Sequence, residues 1–308
     1  MLIATKNVAF TWSSPVAGEP VSISDIGDVR ALAECDDIGL IARDDHLLVR
    51  QANRYRGFDL DLDERITALL ITDLMPLRAL IGTEGAHLYE FDEDSGTARR
   101  VVPFDELTCR RDWHTPWGGP PAIRSLAASS DGRTVYADIH VGSIMRSEDA
   151  GRTWEPVNPS LHEDVHQVAT CPAAPATVYA NTANAVYVSE DRGRSWAHRA
   201  NGLHARYGRA IAVHPNDPAC LLASVSNGPR GGDGRLYRSD NSGRHWTHVV
   251  DGFPASCERN IDTSQISYDL QGRAWAAVDD MLIVSDDRAQ NWTTAWTVHE
   301  PITLITCA

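Results

Sequence analysis

"SEDAGRTW" (residues 147–154) returns as "SEDRGRSW" at 189–196, as "SDNSGRHW" at 239–246 and as "SDDRAQNW" at 285–292. Successive copies begin 42, 50 and 46 residues apart. Self-similarity at that period marks a solenoid or a propeller built from one supersecondary unit per repeat. Each unit holds short alternating runs between turn residues, as in "IRSLAAS", "TVYADI", "SIMRS" and "TWEPV". Such runs of about five residues with a period of two are strands, and no comparable segment has helical periodicity. Four strands of that length make a propeller blade. Inside the turn, Asp149 and Asp191 can accept backbone N–H bonds, while Gly151 and Gly193 supply positive φ. Trp154, Trp196, Trp246 and Trp292 offer apolar surface to pack between blades. The repeat is a folding device, which leaves the other loops free for chemistry.

The motif S-x-D-x-G-x-[ST]-W resembles the Asp-box, or BNR-repeat, propellers, a superfamily that includes sialidases, sortilin-type receptors, xyloglucanases and the photosystem II assembly factor. Two boxes match fully; the third carries Asn241 and ends His245–Trp246, and the last has Ala289 where the glycine belongs. A degenerate fifth, "DEDSGTAR" (92–99), keeps Asp94 and Gly96. The resemblance implies an all-β propeller. It does not fix an activity, because these propellers host hydrolases, receptors and assembly factors alike.

Six blades are expected at about 27–62, 65–105, 122–158, 164–200, 208–250 and 259–298. The ends remain: "ITLITCA" reads as an innermost strand, and "MLIAT", "VAFTW" and "PVSIS" as three outer ones. Joined, they complete a seventh four-stranded blade, closing one domain over residues 1–308 and removing two exposed edges.

The chain has 308 residues, 43% of them hydrophobic, and a net charge of −14. The acidic balance argues against a nucleic-acid partner, which needs clustered positive charge. No apolar run approaches the roughly 20 residues of a membrane span. The N-terminus lacks the basic head and apolar run of a signal peptide, so the expected location is cytoplasmic. The six cysteines have no CxxC spacing, and reduced thiols are the simplest expectation. Of the 28 basic residues only Lys6 is a lysine.

In a four-stranded blade the B–C turns and D–A connections share one face, opposite the C–D turns that carry the boxes. Lys6, Glu84, His140 and Arg230 fall in B–C turns, while Trp113, Trp117, His162 and Tyr207 fall in D–A connections. Aligning the inner strands "IRSLA", "VHQVA" and "GRAIA" puts Arg124, His166 and Arg209 at equivalent positions near the mouth of a central funnel. Arginines and a lysine inside an acidic protein suit a carboxylate or phosphate. His140 and His166 titrate near neutrality and can move protons, with Tyr207, Lys6 and Glu84 as partners. Trp113 and Trp117 would form an apolar wall. The cofactor is open; a divalent metal, if bound, would use His140, His162 and His166.

The expected function is therefore general acid–base chemistry on a small anionic molecule, in a lyase, isomerase or hydrolase. A non-catalytic binding or assembly propeller is the alternative. A sialidase-like glycosidase is a further one, for which three arginines and Tyr207 are available but no "RIP" motif is present.

Overall fold

The box turn closes on its own side chains. In the first copy Asp149 Oδ1 accepts the backbone N–H groups of Arg152 and Thr153 at 3.1 and 2.8 Å, and Oδ2 accepts the Thr153 hydroxyl at 2.7 Å. Ser147 Oγ takes the Gly151 N–H at 2.8 Å, and Trp154 Nε1 donates to the Gly151 carbonyl at 2.9 Å. Asp191 repeats this pattern with Ser195, and Asp287 with Asn291. The third box does the same work with an amide, Asn241 Oδ1 accepting the His245 N–H at 2.9 Å. Where Ala289 replaces glycine, it takes φ +62° itself. In the degenerate fifth turn the capping carboxylate is Asp92, which accepts the Ser95 N–H at 3.0 Å, and not Asp94. Asp92 stands at the position of the box serine, where the preceding strand ends as it does before the other boxes.

The computed structural model describes residues 1–13, 18–23, 26–52 and 54–307. They form seven four-stranded antiparallel sheets, the blades of a β-propeller. Six are sequential in the chain, at 31–59, 66–100, 123–156, 165–199, 207–248 and 266–297. The seventh joins both ends: Ile302–Thr306 is its inner strand, followed outward by Leu2–Thr5, Ala9–Thr11 and Val21–Ile23. Leu2 pairs with Thr306 and Ile3 with Ile305, both antiparallel. The last residue of "PVSIS", Ser24, lies outside the described residues. Among the described residues, helix is confined to one turn at Val102–Asp105 and a 3₁₀ segment at Thr108–Asp112, both in the connection between the second and third blades.

Apolar clusters fill the gaps between neighbouring sheets. Leu40 and Val49 of the first blade pack with Ile66, Leu77 and Ile81 of the second. The box tryptophans sit in these gaps: Trp246 and Trp292 are buried, Trp154 is buried against Phe104 at 5.1 Å, and Trp196 is half-buried. The connection from the preceding blade is fitted to the backbone of the tryptophan. Trp246 N–H donates to Asn201 and Trp292 N–H to Asp251, and a Cβ on the adjoining Gly202 or Gly252 would fall about 2 Å from the tryptophan carbonyl oxygen. These two boxes thus lock one blade to the next.

Candidate functional site: the central channel

The inner strands of all seven blades line one cavity of about 870 Å³ along the propeller axis. Four successive inner strands share an irregularity that decides what enters it. Ile66 and Ala68 pair with adjacent residues of the second strand, and so do Ile123 and Ser125, and Val165 and Gln167. One residue in each case, Thr67, Arg124 or His166, is extra and unpaired. The fifth blade inserts one residue in the Arg209–Ala210 step. A bulge of this kind re-aims its side chain. Arg124 and Arg209 are thereby turned into the channel, and His166 is held just behind its wall.

Second-strand residues hold the bulges open. Asp138, fully buried, accepts the N–H groups of Arg124 and Ser125 at 3.1 and 2.9 Å and the Ser125 hydroxyl at 2.7 Å. Burial pushes its carboxyl up to about 6, against hydrogen bonds that favour the ionised form. At the bulge of the fifth blade Asn181, reaching over from the fourth, and Ser224 do the corresponding work, Asn181 Nδ2 donating to the Ala210 carbonyl at 2.7 Å and Ser224 Oγ accepting the Ala210 N–H at 2.9 Å. Gly208 must be glycine for this reason: a Cβ there would lie 1.7 Å from Asn181 Oδ1.

The guanidinium of Arg124 has no carboxylate within 4.0 Å among the described residues, in a chain whose net charge is −14. Burial, and next the Arg209 charge, push its pKa down. Arg209 lies over the Tyr207 ring at 5.2 Å and pairs with Asp262 at 3.5 Å. Burial raises the Tyr207 hydroxyl, the opposite of what an activated nucleophile needs.

Beside Arg124, His140 Nε2 and His166 Nε2 converge on one carboxylate oxygen. Asp164 Oδ1 is 3.2 Å from His166 Nε2 and 3.8 Å from His140 Nε2. His140 lines the channel just past its strand Val135–Ile139, while Asp164 and His166 flank Val165 at the start of Val165–Thr170. His166 has 0% exposure, and its Nδ1 donates to the Gly208 carbonyl at 2.5 Å. Tyr207 packs against its ring at 4.9 Å, and the ring of Trp117 meets that of His140 at 4.9 Å. Burial lowers the pKa of both histidines, and the Arg124 charge adds to the effect. Burial alone would raise Asp164; the neighbouring His166, and then His140 and Arg124, hold it below its ordinary value.

Several expected residues lie elsewhere. Trp113 is not a channel wall: it is buried against Phe104 at 5.7 Å in the helical connection, which leaves only Trp117, 72% exposed, at the channel. His162 is not in the histidine cluster, because its Nδ1 accepts the Asp164 N–H at 3.1 Å and backs the loop; Asp164 takes its place. Lys6 is exposed in its turn and does not line the channel. Glu84 pairs through its backbone with Ala122, and its side chain also stays outside the cavity. Arg230 is exposed and lines a neighbouring cavity of about 370 Å³, with Arg209 as the shared wall. Asp164 and Asp138 were missed. The alternation in "HEDVH" (162–166) places Asp164 on the same strand face as His166, and that was the readable signal; Asp138 left none.

A family model described as sortilin, neurotensin receptor 3, matches residues 142–269, a stretch that holds three of the four boxes. No curated protein is significantly similar in sequence. Among solved structures, the GH74 xyloglucanase of Xanthomonas campestris is similar with a TM-score of 0.71 at 16% identity, covering 95% of this chain and 52% of its own. The GH74 enzyme of Niastella koreensis gives 0.71 at 15% identity, over 94% and 51%. YCF48 bound to D1 peptide gives 0.53 at 14% identity, over 88% and 73%. The chain thus spans about half the length of these GH74 enzymes. The chain is thus a seven-bladed β-propeller whose box-bearing stretch is similar to the sortilin family model and whose fold is similar to that of GH74 enzymes and YCF48.

Proposed function

We propose that the protein is an enzyme that binds a small carboxylate- or phosphate-bearing molecule in the central channel and reacts it beside His140, Asp164 and His166. One observation carries this reading: the half-buried guanidinium of Arg124 faces the cavity with no carboxylate partner among the described residues. A positive charge left unpaired in a partly enclosed cavity favours a bound anion. An arginine fork also fixes a carboxylate or phosphate in two contacts, so the substrate would be oriented as well as held. Arg209, tethered to Asp262 and Tyr207, supplies a second positive group on the same side.

The reacting end would then face His140, backed by Asp164 and His166 behind the channel wall, with Trp117 as its apolar cover. Proton abstraction next to the anionic group, or the loss or gain of water there, fits such a pocket, as in a lyase, isomerase or hydrolase. Glycoside cleavage fits it less well, because that chemistry ordinarily uses two carboxylates facing each other across the substrate. Glu34, the only carboxylate among the described residues lining the cavity, is tied to Arg50 at 2.6 Å. GH74 proteins are enzymes and YCF48 binds a peptide, so the fold supports either kind of role and the site carries the choice.

Calorimetric titration with a panel of small mono- and dicarboxylates and phosphate monoesters tests the reading. A one-to-one binder is expected, weakened about 10–100-fold by Arg124→Met, the value of a charge-assisted pair. Its conversion on incubation with the protein, followed by proton NMR, is expected as well. Equal binding by the variant would remove Arg124 from the site, and a bound but unchanged ligand would make the protein a receptor.

A further inference from the structure

We propose that His140, Asp164 and His166 form a binding site for a divalent transition-metal ion at the wall of the channel. Their donor atoms, Nε2, Oδ1 and Nε2, all lie within 4.8 Å of one another. Around an ion with bonds of about 2.1 Å, tetrahedrally placed donors stand about 3.4 Å apart. The two separations from Asp164 Oδ1, 3.2 and 3.8 Å, bracket that value, and the two imidazole nitrogens, within 4.8 Å of each other, need only a side-chain adjustment to complete the set.

The second observation is electronic. With Nδ1 donating to the Gly208 carbonyl, the neutral ring of His166 presents the lone pair of Nε2 toward Asp164. Neither His166 Nε2 nor Asp164 Oδ1 has a hydrogen-bond partner, and both atoms are buried. Although 3.2 Å apart, the two are not aligned as a hydrogen bond. Buried lone pairs facing one another without a donor are unfavourable, and a cation bonded to both relieves them. The backbone contact on the far nitrogen is also the arrangement that orients a metal-bound imidazole. His166 is fixed further by Tyr207 and by the Gly208 position that only glycine can occupy.

Two imidazoles and one carboxylate select a first-row transition ion such as zinc, iron(II) or cobalt(II) over calcium or magnesium, which take oxygen ligands. Three protein ligands leave positions open toward the channel, since His140 lines it and the Asp164 side chain keeps 15% exposure. Arg124 and Arg209 oppose a lone cation nearby. An anion lying between guanidinium and ion would neutralise both, so metal and anion should bind with positive coupling. That last step rests on the reading of the channel as an anion site; the metal site itself does not.

The test uses the whole chain, stripped with chelator and titrated with Co²⁺ while its visible d–d absorption is followed, then with competing Zn²⁺, Mg²⁺ and Ca²⁺. One Co²⁺ per chain is expected, displaced by Zn²⁺ and not by the two hard cations. Asp164→Asn and His140→Gln should each weaken binding at least about 100-fold, more than loss of a supporting contact costs. Both side chains keep some exposure, so these variants should fold, as far-UV circular dichroism would verify. Arg124→Met should lose the anion yet bind Co²⁺ as well or better. Absence of Co²⁺ absorption, or unchanged affinity in both ligand variants, overturns the metal site and assigns the buried contact to a protonated His166. Metal failure with Arg124-dependent anion binding intact would sink this inference alone.

Discussion

Asp138 Oδ1 accepts the backbone N–H of Arg124 at 3.1 Å, so a channel guanidinium with no carboxylate partner among the described residues is aimed by a carboxylate that never touches it. The two charges are linked through main chain. Asp138 is sealed in the second strand, and its hydrogen bonds fix the shape of the first. Its substitution should therefore disturb both stability and binding.

Asp138→Ala leaves two backbone N–H groups and the Ser125 hydroxyl without their shared acceptor. At about 1–3 kcal/mol for each orphaned group, with partial relief by water, the expected loss is about 2–4 kcal/mol. Urea denaturation measures it. Anion binding should fall along with stability, and a variant of wild-type stability would mean that the bulge holds itself.

The box tryptophans should rank by burial. Trp246→Ala removes a fully buried indole whose Nε1 donates to the Arg199 carbonyl at 3.1 Å, and is expected to cost about 3–5 kcal/mol. Trp196 is only partly buried and its Nε1 has no partner, so Trp196→Ala should cost about half as much. Thermal melts of the pair give the order. Channel ligand binding by the folded fraction should be the same in both.

Acid should weaken the boxes selectively. The Thr153 hydroxyl, with its N–H, holds Asp149 at about 2, and Asp191 and Asp287 are also held at about 2. A carboxyl whose folded pKa is depressed stabilises the fold above its unfolded value of about 3.9, and that contribution disappears as the pH falls through the folded value. Asp149→Asn should thus be less stable than the wild type at pH 6, with the gap shrinking between about pH 4 and pH 2. Denaturant midpoints of both proteins across that range check the sign. A gap that widens on acidification would contradict it.

The architecture was legible because it is written as repetition. Four copies of one turn, a strand period of two and a spare strand set at each end lead to seven blades and to the pairing of Leu2–Thr5 with Ile302–Thr306. Arg124, His166 and Arg209 were legible for the same reason, as one position in three aligned strands. Residues outside the repeat were not. Trp113 and Trp117 sit four apart in one connection, and only the packing of Phe104 decides that one is core and the other faces the channel. Lys6 drew notice by its rarity, a property of composition that carries no distance. Asp164 lies two residues before His166, but its role is collective, visible only when His140 arrives from another blade.

The recurrent bulge makes specificity separable from scaffold. Thr67, Arg124, His166 and the Arg209 step are four successive pegs on one barrel, and two of them, Arg124 and the Arg209 step, are held from behind by Asp138 and by Asn181 with Ser224 rather than by their own side chains. Exchanging a peg changes what the lumen presents without redrawing the blade that carries it. A library confined to positions 67, 124 and 209, with their supports untouched, would sample new ligand chemistries on an unchanged frame.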